Sequence, residues 1–359
     1  MVGLTGARSA ADESLLEAIF RANPHGGKLQ VLDARPKVNA VANTAAGAGY
    51  ETPKQYPFIT PPQFLGLPNI HTARDAYKKL RTLCQRPDDP KWAVNLEATG
   101  WLEWVRLLLQ SSAYMTELID KQSASILDGW DRTSQLVSLS MMLLNENYRT
   151  LRGFMALLDK EWINFGHKFG ERTGHGHPNY AHDQRGPIFL QFIDACIQLL
   201  QQFPASFQFN SNLLIFLLDA LYSCQFGNFL CDNEKEREEA SVQQETTSIW
   251  TYVMLNQSEF TNVFYRPNPH VLVPNCSRAR MIFWAEYYLR WSPARPQYLV
   301  EQQHYVPAGE AYQLFASEDC SASSQETTEP RRPATTAEDA APLTSATSAQ
   351  PPLHQNETP

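Results

Sequence analysis

The sequence predicts an α/β domain that grows richer in helix toward its C-terminal end. Two observations predict it. Short apolar segments bounded by Gly and Pro alternate with stretches whose apolar residues recur at helical spacing, and one such segment runs through a Gly-containing turn straight into a helix. Ser9-x-x-Asp12 has the form of a capping box, followed by a helical stripe of Leu15, Leu16, Ile19 and Phe20. Lys28-Leu-Gln-Val-Leu-Asp33, bounded by Gly26-Gly27 and Pro36, has the length and composition of a buried strand. Trp101, Val105, Leu108, Met115 and Ile119 predict one long helix from Leu96 to Asp120. Ile126-Leu127 precedes the Gly turn, and Leu136, Leu139 and Leu143 mark a helix starting near Thr133. Pro187 opens a further helix carrying Phe189, Phe192, Ile193, Cys196 and Leu200, and Ser211 is expected to cap the one that ends near Cys224.

The 359 residues include 43% hydrophobic and 11% aromatic side chains, enough for a sizeable core. The longest purely apolar run, Leu213 to Leu218, is too short to span a bilayer. No secretory leader is read at Met1, and the six cysteines show no Cys-x-x-Cys pair, so a cytoplasmic protein with reduced thiols is expected. Residues 1–315 are read as the folded domain. Residues 316–359, dominated by Ser, Thr, Ala, Pro and Glu, are expected to be a disordered tail. After Ala316 seven acidic residues stand against Arg331 and Arg332. The tail therefore holds −5 of the net −8 and leaves −3 on the body, which does not exclude a basic pocket for an anion.

The segment most informative about chemistry is Ser125-Ile-Leu-Asp128-Gly-Trp-Asp131-Arg132-Thr-Ser-Gln-Leu136. A strand, a Gly turn and a helix N-terminus in succession can form a cradle of backbone N–H groups for an anion, with Arg132 placed to fork two phosphate oxygens. An Asp-rich helix cap with Arg132 in an ordinary ion pair fits the same residues equally well.

The wider sequence favours the first reading. Asp128-Gly-Trp-Asp-Arg-Thr133-x-Gln-Leu136 resembles the second half of the myotubularin signature, His-Cys-Ser-Asp-Gly-Trp-Asp-Arg-Thr. Asp33-Ala-Arg-Pro-Lys-Val-Asn-Ala-Val-Ala-Asn43, Gly47-Ala-Gly-Tyr-Glu51, Asn69-Ile-His71, Tyr148 to Phe154, Lys160-Glu-Trp162, Phe165-Gly-His-Lys-Phe169, Phe189 to Ile193, Tyr222 to Leu230 and Tyr288-Leu-Arg-Trp291 are similar to further blocks of that family, in order, from Met1 to about Pro296. Their wording is nearest the branch that carries a C-terminal coiled coil.

The resemblance implies a cysteine-dependent phosphatase fold of the tyrosine and dual-specificity type, with a central, mostly parallel sheet flanked by helices. It implies action on phosphatidylinositol 3-phosphate and 3,5-bisphosphate by attack of a low-pKa thiolate on phosphorus, without a metal or other cofactor. Arg132 would clamp the phosphate, and one of Asp128 and Asp131 would be a proton donor. Asn43, Asn69, Ile70, Gly129, Trp130, Lys168 and Arg172 would lie at the headgroup. The implied partners are a phosphoinositide on the cytosolic face of endosomal membranes and a second copy or an active family member in a dimer.

Two departures qualify this. The family's cysteine lies six residues before the signature arginine, and here that residue is Ile126, with Ser125 where histidine is usual. Isoleucine has neither a lone pair nor an ionisable proton, so the chain reads as catalytically inactive. An active phosphatase whose His-Cys-Ser segment is missing from the sequence as written, and a pure interaction scaffold, are the alternatives. The chain also starts where family members are already inside the phosphatase domain, so no PH-GRAM module is expected. His167, His175, His177 and His182 match no common zinc spacing, and no metal site is read from them. Glu234-Lys-Glu-Arg-Glu-Glu239 is expected to be a solvated face, and Trp101, Trp104, Trp162 and Trp291 core residues. No basic and aromatic stripe supports nucleic-acid binding.

Overall fold

Val31 and Leu32, neighbours in strand β1 (Gln30–Asp33), are buried in two different apolar clusters, as strand alternation requires. The computed structural model describes residues 9–23, 26–45, 49–54, 56–121, 125–127, 129–175, 182–292, 294–296 and 299. The expected tail at 316–359 lies outside them. Val31 joins Leu29, Tyr56 and Ile59, against which Leu16 and Phe20 of α1 (Ala10–Ala22) pack. Ser9 caps α1 by accepting from the Asp12 N–H, but Leu15 and Ile19 of the expected stripe stay exposed.

After β1 the chain forms α2 (Lys37–Ala45), strand β2 (Gln63–Phe64) and α3 (Ile70–Cys84). The helix expected over 96–120 is two helices, α4 (Trp92–Thr99) and α5 (Trp101–Lys121). Gly100 separates them at φ 75°, a left-handed conformation in which its N–H donates to the Glu97 carbonyl. Strand β3 (Ser125–Ile126) then leads into α6 (Arg132–Leu144). The sheet order is β2-β1-β3, every strand pairing parallel, with Leu32 opposite Gln63 and Val31 opposite Ile126. The expected parallel sheet is thus present as a small one, set in a body that is mostly helix.

Further along come α7 (Leu151–Leu158), a π-helical segment (Asp159–Asn164), α8 (Phe169–Thr173), α9 (Ile188–Gln202), α10 (Ser211–Ser223), α11 (Glu234–Glu239), α12 (Val242–Glu245), α13 (Ile249–Leu255), α14 (Gln257–Phe260) and α15 (Ala285–Tyr288). α5, α6 and α9 pack together as the main core. Asp194 of α9 is fully buried and accepts from Trp101 Nε1 (2.7 Å), the Tyr288 hydroxyl (2.7 Å) and Gln198 Nε2 (3.0 Å), so its burial is matched by donors. Arg149, also fully buried, donates to the Met142 and Leu143 carbonyls at the C-terminal end of α6 and to those of Asn268 and His270.

Three local expectations are corrected. Asn210, not Ser211, caps α10, because the extended Asn210 backbone lets its side chain accept from the Leu213 N–H. Trp291 is 86% exposed and lies under the Arg290 guanidinium, 5.2 Å away. Arg237, in the charged run expected to be solvated, is buried and bonded to backbone carbonyls.

Candidate functional site

β1 and β3 run parallel, so their C-terminal ends open on the same side of the sheet, the usual ligand side of parallel α/β architecture. Asp33, Ala34 and Arg35 leave β1 there, and Leu127 and Gly129 to Arg132 leave β3. Together with Gly49, Tyr50 and Glu51 they line a cavity of about 320 Å³. Gly129 sits at φ 130°, which a side chain would strain, and so allows the chain to turn from strand into helix. Arg132 is the first residue of α6. Its Nη1 donates to the Leu67 carbonyl at 3.1 Å, and the other N–H groups of the fork have no acceptor among the described residues. Burial pulls the Arg132 pKa down, opposed by the nearby carboxylates of Asp131 and Asp33. Arg35 is tied to both oxygens of Asp33 and to the Gly49 carbonyl, so it braces the cavity wall.

Behind the loop runs a buried polar chain. Burial alone would raise the pKa of Asp131, but His167 and Arg172 outweigh it and hold the carboxyl at about 2. Arg172 Nε and Nη2 reach the two Asp131 oxygens at 3.1 and 2.9 Å, and its Nη1 donates to Glu171 and to the Gln184 carbonyl. His167 Nδ1 lies 2.9 Å from the Trp130 carbonyl and 3.3 Å from Asp131 Oδ1. To serve that carbonyl, Nδ1 must carry the proton. Lys168 pairs with Glu171 at 3.1 Å and lies 5.4 Å from the centre of the half-exposed Trp130 ring.

The expected residues therefore fall into three groups. Gly129, Trp130, Asp131 and Arg132 line one cavity. Lys168 and Arg172 touch the loop from behind, and Arg172, 6% exposed, spends four of its five N–H groups on protein acceptors. Asn43, Asn69 and Ile70 lie off the cavity. Asn43 is exposed on α2, Asn69 caps α3 by accepting from the Thr72 N–H, and Ile70 packs against Gly186. Asp128 lies outside the described residues.

Asp131, ionised and doubly clamped, carries no proton to donate near neutral pH. The sequence alone points to no role for Arg35, Glu51 or His167. The Asp33-x-Arg35 spacing after a strand was the available signal for the first. The sequence offers His167 only as a candidate metal ligand, whereas the structure places it against the Trp130 carbonyl and Asp131. Among the described residues, no cysteine lines the cavity.

Residues 1–238 match the family described as the myotubularin-like phosphatase domain. Myotubularin of Xenopus laevis is 42% identical over 326 residues, covering 89% of this chain and 53% of the relative. Myotubularin of Rattus norvegicus is 43% identical over 299 residues, 82% of this chain and 50% of the relative. The phosphatidylinositol-3,5-bisphosphate 3-phosphatase MTMR2 of Mus musculus is 42% identical over 304 residues, 83% of this chain and 47% of the relative. The chain spans about half the length of these curated relatives. With the family match over residues 1–238 and relatives above 40% identity over more than four-fifths of its length, the chain belongs to the myotubularin-like phosphatase domain family.

Proposed function

We propose that this chain is a catalytically inactive myotubularin-like domain that binds a 3-phosphorylated inositol headgroup weakly and acts as a regulatory partner at cytosolic membranes. The observation that carries the reading is Ile126, which occupies the nucleophile's register at the end of β3 while Arg132 keeps its place at the start of α6. Loss of the thiolate removes bond-making to phosphorus. It does not remove the turn, the helix N-terminus or the guanidinium, which together still favour an anion.

A second reading, a scaffold with a vestigial pocket, is favoured by the commitment of Arg132 to Leu67 and of Arg172 to Asp131. With Arg172 sealed off, a headgroup would meet Arg132 and the loop amides alone. A dissociation constant of a few hundred micromolar is expected, about −5 kcal/mol. Titration of soluble inositol 1,3-bisphosphate into wild type and Arg132→Ala tests this. Saturable binding that weakens at least tenfold in the variant supports the headgroup reading. Equal affinity in both proteins, or none in either, leaves the scaffold.

A further inference from the structure

Away from the signature loop, a cavity of about 630 Å³ opens between the π-helical segment and α11 to α13. Two oppositely charged side chains face it without touching. Arg237 of α11 is 9% exposed, and its Nη1 and Nη2 donate to the Gly227 and Asn228 carbonyls. Those bonds occupy two of its N–H groups, and no carboxylate among the described residues forms an ion pair with it. Asp159, which opens the π-helical segment, accepts from Trp250 Nε1 at 2.8 Å. Burial raises the Asp159 pKa, opposed only in part by the Trp250 hydrogen bond and then by the field of Arg237.

Each is held on its own side of the cavity. Arg237 is tethered to the Gly227 turn, itself packed so closely that a Cβ there would lie 2.0 Å from Thr246 Oγ1. Asp159 is fixed by the Trp250 indole. Holding a buried guanidinium and a half-buried carboxyl apart without pairing them is costly unless something else meets them both. A simple anion would face Asp159 with Glu234 and Glu238, which also line the cavity, and a simple cation would face Arg237.

We propose that this cavity binds a small zwitterion that carries a primary ammonium and an anionic group in one molecule. The anionic end lies on Arg237, and the ammonium lies between Asp159 and the two glutamates. Soluble molecules such as amino acids or phosphoethanolamine have this chemistry, and so does the ethanolamine headgroup of a phospholipid. The inference does not depend on the signature-loop cavity.

The test is calorimetric titration of the full chain with phosphoethanolamine and with alanine, against their separate halves: ethanolamine, inorganic phosphate and acetate. At least one zwitterion should bind tenfold or more tighter than either of its halves. Asp159→Asn, which keeps an acceptor for Trp250, should weaken it at least tenfold with the melting temperature nearly unchanged. Flotation with phosphatidylethanolamine vesicles against phosphatidylcholine vesicles distinguishes the sources. Asp159-dependent vesicle binding assigns a lipid ligand, and titration without vesicle binding assigns a soluble one. The proposal is overturned if no zwitterion saturates below about 10 mM, if the halves bind as well as the whole, or if Asp159→Asn binds like wild type. Any of these results means that the cavity holds only water.

Discussion

The two ends of α6 meet very different surroundings. At its start, Arg132 faces an open cavity framed by strands of only two and four residues. Further along, Leu136, Leu139, Met142 and Leu143 are completely buried, Gln135 bonds to Ile188 and Gln191 of α9, and Ser138 accepts from Trp162 Nε1. The signature arginine is therefore positioned from the helical core rather than from the sheet. A change in the strand that feeds the loop, such as isoleucine for the nucleophile, leaves that anchorage intact. On the proposed reading, chemistry is lost here while the fold and the anion cradle are kept.

That contrast predicts how unequal the two regions are to damage. Trp162→Ala should cost most. It removes a fully buried indole packed on His167, Phe189 and Phe192, and about 3–5 kcal/mol of stability should vanish in denaturant unfolding with an unchanged m-value. A loss below 1 kcal/mol would show that the core does not carry the loop.

Asp131→Asn should cost about 2 kcal/mol at neutral pH. Because the folded carboxyl titrates at about 2, below its unfolded value, its contribution is complete above about pH 4 and fades as pH falls toward 2. The variant should lose that part of the acid dependence, and chemical denaturation from pH 7 to pH 2.5 checks it. An unchanged pH profile would mean that Asp131 is not clamped. The smallest effect belongs to Trp130→Ala, at the half-exposed rim, where stability should shift by no more than about 0.5 kcal/mol. A larger loss would make the rim part of the core.

What was legible in the sequence follows the same division. The turn at Gly129 and the helix after it were readable because a strand, a glycine and a helical period follow one another locally. Gly100 was missed because apolar spacing continues through it, and only the left-handed backbone reveals the break. The sealing of Arg172 by Asp131 joins residues 41 positions apart and leaves no local pattern. Arg237 and Trp291 were misplaced for a similar reason. Residue type suggests an environment, but carbonyls at Gly227 and Asn228 and a guanidinium at Arg290 decided it.

The central claim is that the loop keeps its arginine and has lost its chemistry. Release of inorganic phosphate from phosphatidylinositol 3-phosphate in vesicles, by wild type and by Arg132→Ala, tests it most directly. The account predicts no turnover above buffer in either protein. Turnover by wild type that Arg132→Ala abolishes would contradict it and establish a working phosphatase.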